Sequence, residues 1–149
     1  MRETLFNWLG QTLDGRRCLD LFAGSGALGF EAASRGAVEV VMVERNRAVY
    51  HNLQDNLKKL GFSNVALRSE DGLEFVRQQN RPFDVIFLDP PFQSDYLPKL
   101  LPLLADRLVA DGMVYVESGE PFEPDAAWRV VKQARAGAVF YQLLQYGQA

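Results

Sequence analysis

Cysteine and histidine are almost missing: Cys18 and His51 are single residues in a chain of 149. One cysteine excludes an intramolecular disulfide, and its place in an apolar run predicts a buried, inert thiol. With one residue of each type there is no zinc ligand set, and no metal is expected. His51 falls on the polar side of a helical segment, which predicts a solvent-facing ring rather than an acid or base. Nowhere do about 18 apolar residues run together, and the opening MRETLFNWLGQ is too short and too polar for a signal sequence. No membrane partner is expected, and the expected location is cytoplasmic. An excess of positive charge is missing too: 16 Lys and Arg against 19 Asp and Glu give a net charge of -3, and the pI is about 5.2. No global positive field recruits nucleic acid, so such binding must come from a local patch or from an additional part. Repeats and low-complexity segments are also lacking.

What is present, 48% hydrophobic and 23% charged residues, suits one soluble globular domain spanning residues 1–149. Runs rich in Val, Ile, Leu and Phe alternate with segments of helical period, which predicts βαβ units and a mainly parallel sheet. Strands are expected at Arg17–Phe22, Val38–Glu44, Val65–Ser69, Phe83–Asp89 and Gly112–Glu117. Between them, helices are expected at Ala27–Arg35, Asn46–Leu60 and Gly72–Gln79. In the second helix Val49, Leu53, Leu57 and Leu60 form one apolar face that Gly61 ends. Leu97, Leu100, Leu101, Leu104 and Leu108 predict a further amphipathic helix that Pro102 should kink or start. Leu5, Phe6 and Leu9 read as the apolar face of a short first helix, and Trp8 and Trp128 as packing anchors. The runs Trp128–Ala134 and Ala138–Tyr146 lie too close together for a crossover helix, so they must form an antiparallel hairpin.

Ligands of a parallel α/β sheet bind beyond the carboxyl ends of its strands. Four consecutive strand ends deliver acids here: Asp20, Glu44, Glu70-Asp71 and Asp89. The loop DLFAGSGALG carries Gly24-x-Gly26-x-x-Gly29, and Glu44 lies twenty positions after the first glycine, a spacing shared with dinucleotide sites. Glu44 suits the ribose hydroxyls of either NAD or S-adenosylmethionine. Asp20 discriminates, because a carboxylate beside the glycine turn repels a pyrophosphate and attracts an α-ammonium. The stretch Ala23 to Glu31 has no Lys or Arg for a phosphate. Asp71 can accept from an adenine amine. In Asp89-Pro90-Pro91-Phe92 the prolines supply carbonyl acceptors without N–H donors and hold Asp89 extended. Asp89 and the Pro90 carbonyl can then accept both N–H bonds of a planar exocyclic amine while Phe92 offers its ring to the base. Such bonds favour the pyramidal nitrogen that attacks a sulfonium methyl.

LDLFAGSGALGFEAASRGA, VMVERNRAV, FDVIFLDPPF and the closing WRVVKQARAGAVFYQLLQYG resemble, in order and spacing, the RsmD-type methyltransferases. These modify the exocyclic N2 of a guanine in small-subunit ribosomal RNA. The resemblance implies a single-domain, Rossmann-like class I methyltransferase fold with seven strands, S-adenosylmethionine as cofactor, and ribosomal RNA or a small-subunit particle as partner; a monomer is expected. It also implies that Asp20, Phe22, Ala23, Gly24, Ser25 and Gly26 surround the methionine part. Glu44 and Arg45 would lie at the ribose, Asp71 and Gly72 at the adenine, and Asp89, Pro90, Pro91 and Phe92 at the target base. Whether Glu70 or Asp71 takes the adenine is left open by Ser69-Glu70-Asp71-Gly72, which departs from the usual pattern. Relatives carry an upstream basic segment, whereas this sequence begins Met1-Arg2-Glu3-Thr4; the segment would add cationic contacts to RNA. Arg45, Arg47, Arg129, Lys132 and Arg135 are the local candidates for phosphate. Three other readings remain: a DNA adenine-N6 methyltransferase, for whose target-recognition region there is no space; an NAD-dependent oxidoreductase, disfavoured by Asp20 and DPPF; and an RNA-binding module with little turnover.

Overall fold

The computed structural model describes residues 2–89 and 96–147, without the side chains of Arg2 and Tyr96. A first helix, α1 (Arg2–Leu9), precedes alternating strands and helices: β1 (Arg17–Asp20), α2 (Ala27–Ser34), β2 (Glu39–Val43), α3 (Arg47–Leu60), β3 (Val65–Arg68), α4 (Gly72–Gln78) and β4 (Phe83–Leu88). Then come α5 (Tyr96–Leu104), a short 3-10 turn, β5 (Leu108–Ser118) and a hairpin of β6 (Trp128–Ala136) and β7 (Val139–Tyr146). The strands form one seven-stranded sheet in the order β3-β2-β1-β4-β5-β7-β6. Strands β1 to β5 pair in parallel, and β7 runs antiparallel to both β5 and β6. This is the mixed, mostly parallel sheet of a Rossmann-like class I methyltransferase fold.

Helices cover both faces, so the central strands must be apolar on both sides. In β4, Val85 and Phe87 point to a core shared with Leu5 and Phe6 of α1, Ala32 and Ala33 of α2 and Leu53 of α3. Ile86 and Leu88 point the other way, into a core with Phe75 and Val76 of α4 and Leu100 and Leu104 of α5. Burying each such side chain contributes about 1.5–3 kcal/mol, and their period of two ties the register of β4 to both layers.

Several boundaries differ from those the pattern predicts. Strand β1 stops at Asp20 because the chain turns toward the glycine loop, though Leu21 N still donates to Phe87 O and Ala23 N to Val43 O. Strand β5 starts at Leu108, which pairs with Phe83 before the register jumps to Met113 opposite Val85. The intervening Ala110-Asp111-Gly112, of which only Gly112 falls in the expected strand, is an irregular strand segment with Asp111 at φ 65. Pro102 neither starts nor ends α5, which runs from Tyr96 to Leu104. On α3 only Leu53 of the apolar face is fully buried, and Leu60 is 53% exposed. Strand β6 runs two residues further, to Ala136, and β7 starts one residue later, at Val139, leaving a two-residue turn with Gly137 at φ 60, a geometry that glycine permits. Trp128 is buried, and Trp8 stacks on Tyr141 with ring centroids 5.5 Å apart.

Gly29 sets the distance between α2 and β2. A Cβ there would lie 2.8 Å from Met42 Sδ, in a fully buried contact. Gly29→Val is expected to destabilise the fold by about 1–3 kcal/mol through overpacking, read as a lower urea midpoint.

Candidate active site

Chain order reverses between β1, which leads outward to β2 and β3, and β4, which leads outward to β5. Backbone connections diverge at such a point and leave a crevice beyond the carboxyl ends. A cavity of about 520 Å³ occupies it.

From β1 the wall receives Asp20, Phe22, Ala23, Gly24 and Ser25. The loop is a tight turn, with Gly26 N donating to Ala23 O at 2.8 Å. Gly24 and Gly26 stand at φ 54 and φ 85, where a side chain would be strained. Gly26 does not line the cavity; a Cβ on it would lie 2.5 Å from the Phe30 ring. It serves as the N-cap of α2 and has no side chain to accept from the helix amides. Asp20 fills that need: its Oδ2 accepts from Gly29 N at 3.0 Å. The carboxyl is only 2% exposed. Burial raises its pKa to about 7 against the hydrogen bond from Gly29, with Asp89, Glu44 and Glu117 adding to the rise.

Glu44, just past β2, holds the rim. Its Oε1 accepts from Gly24 N and its Oε2 from Asn46 N, each at 2.9 Å. The carboxylate plane is thus fixed by the loop it borders, and each oxygen keeps further acceptor capacity. Arg45 lies on the wall, 73% exposed, with its guanidinium 3.8 Å from Asp71 Oδ1. Asp71 caps α4, its Oδ2 accepting from Glu74 N at 3.1 Å. Asp71 and Gly72 line the cavity, whereas Glu70 does not and pairs with Arg68 at 3.0 Å. The geometry therefore distinguishes the two acids that the sequence leaves equivalent. Gly72 packs closely on the loop, since a Cβ would lie 3.2 Å from Leu21 O.

At the end of β4, Asp89 joins the wall. Asp89 is exposed overall, but desolvation of its carboxyl and then the neighbouring Glu117 raise it to about 7. Pro90, Pro91 and Phe92 lie outside the described residues. Glu117 is the acid that the strand-end reading overlooked, although VYVES carries the same signal as the other four ends. The buried Tyr115 donates its hydroxyl to Glu117 Oε1 at 2.6 Å. His51, Arg47, Arg129, Lys132 and Arg135 are all exposed. Arg135 lies over the Phe140 ring, 5.1 Å from its centroid.

The wall thus sets the carboxylates of Asp20, Glu44, Asp71 and Asp89 against the single guanidinium of Arg45. That balance fits a ligand carrying an ammonium, a sulfonium and hydroxyl or amine donors, and it disfavours a pyrophosphate. The family model of conserved hypothetical protein 95 matches residues 1–145. The chain belongs to this family. Ribosomal RNA small subunit methyltransferase D of Escherichia coli K12 is 40% identical over 151 residues, covering 97% of this chain and 76% of that protein. Its Haemophilus influenzae counterpart is 39% identical over 153 residues, covering 97% and 79%. A solved Escherichia coli structure superposes with a TM-score of 0.88 at 38% identity, covering 98% of this chain and 83% of that one. This member of the conserved hypothetical protein 95 family is, by fold and homology, an S-adenosylmethionine-dependent methyltransferase. Among the described residues, no helix is long and apolar enough to cross a membrane, and no group of three His, Cys, Asp or Glu could hold a metal.

Proposed function

We propose that the protein methylates the exocyclic N2 of a guanine in small-subunit ribosomal RNA. The observation that carries this reading is the acidic cavity at the β1/β4 crevice with Asp89 on its wall, directly before Pro90-Pro91-Phe92. The names of the relatives point the same way. S-adenosylmethionine, when bound, supplies an electrophilic methyl on a sulfonium. Asp20 faces its ammonium, within a turn formed by Phe22, Ala23, Gly24, Ser25 and Gly26. Glu44 accepts from the ribose hydroxyls beside Arg45, and Asp71 accepts from the adenine amine beside Gly72. Asp89 and the Pro90 carbonyl receive the N–H groups of the target amine, with Pro91 of the same motif offering no competing N–H donor, and Phe92 stacks on the unstacked guanine. Base stacking of that kind is worth about 1–3 kcal/mol. The attacking nitrogen becomes cationic on methylation and readily loses a proton, so no strong base is required.

Tritiated methyl transfer to ribosomal particles from a strain lacking the activity tests the proposal. Label recovered as N2-methylguanine in small-subunit RNA is the expected result. Label found only in DNA adenine or in protein would refute it, as would cofactor binding without any transfer.

A further inference from the structure

We propose that Glu117 is the positioning residue for Asp89: anchored by Tyr115, it stands beside the carboxyl that receives the target amine and takes the proton that the methylated nitrogen loses. The inference rests on the reading of Asp89 as the amine acceptor and extends it to a strand that the glycine loop and DPPF do not include.

Register brings the two acids together. Strands β4 and β5 are parallel neighbours, with Phe87 opposite Tyr115 and Leu88 opposite Val116. The next step along both chains sets Asp89 beside Glu117, whose carboxyl strengthens the hold of Asp89 on its proton. Two ionised carboxylates side by side repel, so Asp89 keeps its proton until near neutrality and becomes an acceptor as that proton leaves. Tyr115 decides which way the pair is held. Its ring is fully buried, edge-on to Phe87 with centroids 6.3 Å apart, and is flanked by Tyr141 of β7. Burial and Glu117 push the phenol above its ordinary range, so the hydroxyl remains a donor to Glu117 Oε1 at neutral pH. Tyr115 thus holds one oxygen of Glu117 in place beside Asp89.

The groups facing this pair are acidic. Asp20 from β1 and Glu44 from the end of β2 share the field of Asp89 and Glu117, while Tyr115 and Tyr141 close it from β5 and β7. A carboxyl in that field holds a proton more tightly than one in water. In the reaction, the nitrogen lone pair forms the new C–N bond, and the C–S pair returns to sulfur as a neutral thioether. The surplus proton on nitrogen passes to Asp89 and leaves from there to solvent. Glu117 touches neither substrate nor methyl; it acts through Asp89.

The test is a carboxyl carbon-13 titration of Asp89 in the full chain, paired with the pH dependence of methyl transfer. Glu117→Gln should lower the Asp89 midpoint by about one pH unit or more, because it replaces a charge with an amide donor. The acid limb of kcat/KM should move with it, while affinity for S-adenosylmethionine changes by less than about threefold. Glu117→Ala, checked by thermal melting, should lower the midpoint too. In Asp89→Asn the limb should vanish, and adding Glu117→Gln should have no further effect on it. An unchanged Asp89 midpoint in either folded Glu117 variant overturns the inference. A lowered midpoint with no methyl transfer by the parent protein upholds the coupling and instead sinks the proposed RNA activity.

Discussion

Asp89→Ala is expected to cut methyl transfer by roughly 100-fold or more while leaving affinity for S-adenosylmethionine nearly unchanged. The two effects separate because the cavity wall divides its acids between tasks. Asp20, Glu44 and Asp71 are each fixed by a backbone amide, at Gly29, at Gly24 and Asn46, and at Glu74. Asp89 instead adjoins the carboxyl of Glu117 and is free to meet a second molecule. Alanine removes the acceptor for the amine, so the base loses both its orientation and its proton acceptor, whereas the contacts proposed for the cofactor persist. Because the Asp89 carboxyl is raised to about 7, parent activity should climb as pH rises through neutrality, as the protonated acid becomes an acceptor. Asp89→Asn keeps one acceptor oxygen and should lose less rate than alanine, with a flat profile across the same range. Single-turnover rates beside calorimetric cofactor affinities make the comparison. Near-normal turnover by the alanine variant would refute the assigned role.

The order of elements was readable because the local signals and the packing demands agree. FDVIFL has to be buried on both faces to serve as a central strand, and it is. Asn46 and Gly61 supply the cap and the stop that bound α3, with Asn46 Oδ1 accepting from Val49 N at 3.1 Å. The failures occur where a neighbour decides. Leu108 is a strand residue because Phe83 pairs with it, and no pattern within LVADG announces that. Leu60 continues a helical stripe but is left 53% exposed. For the site, the acidic strand ends and the glycine loop were visible as residue types, but their hydrogen bonds were not. Sequence alone offered Asp20 as an ammonium partner; geometry adds that it also caps α2. Glu117 was passed over because it lies outside the loop motifs, on a strand that enters the site through register.

The double duty of Asp20 leads to the second large effect: Asp20→Asn should strengthen the fold at neutral pH and weaken cofactor binding by about 100-fold or more. The carboxyl is raised from 3.8 in an unfolded chain to about 7 when folded. A group shifted in that direction favours the folded state below its unfolded pKa, and the advantage is lost as pH rises through the folded value. For so buried a group the swing is on the order of 4 kcal/mol between about pH 4 and pH 8. Asparagine retains an oxygen to accept from Gly29 N and removes the ionisation. Its amide N–H groups enter a buried place, at a cost of about 1–3 kcal/mol if they find no acceptor. Urea denaturation should therefore show the variant less stable than the parent near pH 4 and more stable near pH 8. Binding reverses the preference, because the ammonium of the ligand needs a charge that asparagine lacks. At neutral pH the parent must ionise Asp20 to hold that ammonium, so binding should release a fraction of a proton, detected by calorimetry in buffers of different ionisation enthalpy. A stability profile indifferent to pH, with undiminished cofactor affinity in the variant, would rule this out. On the proposed reading, the destabilising charge of Asp20 is the feature that would make the cavity selective for a cationic ligand.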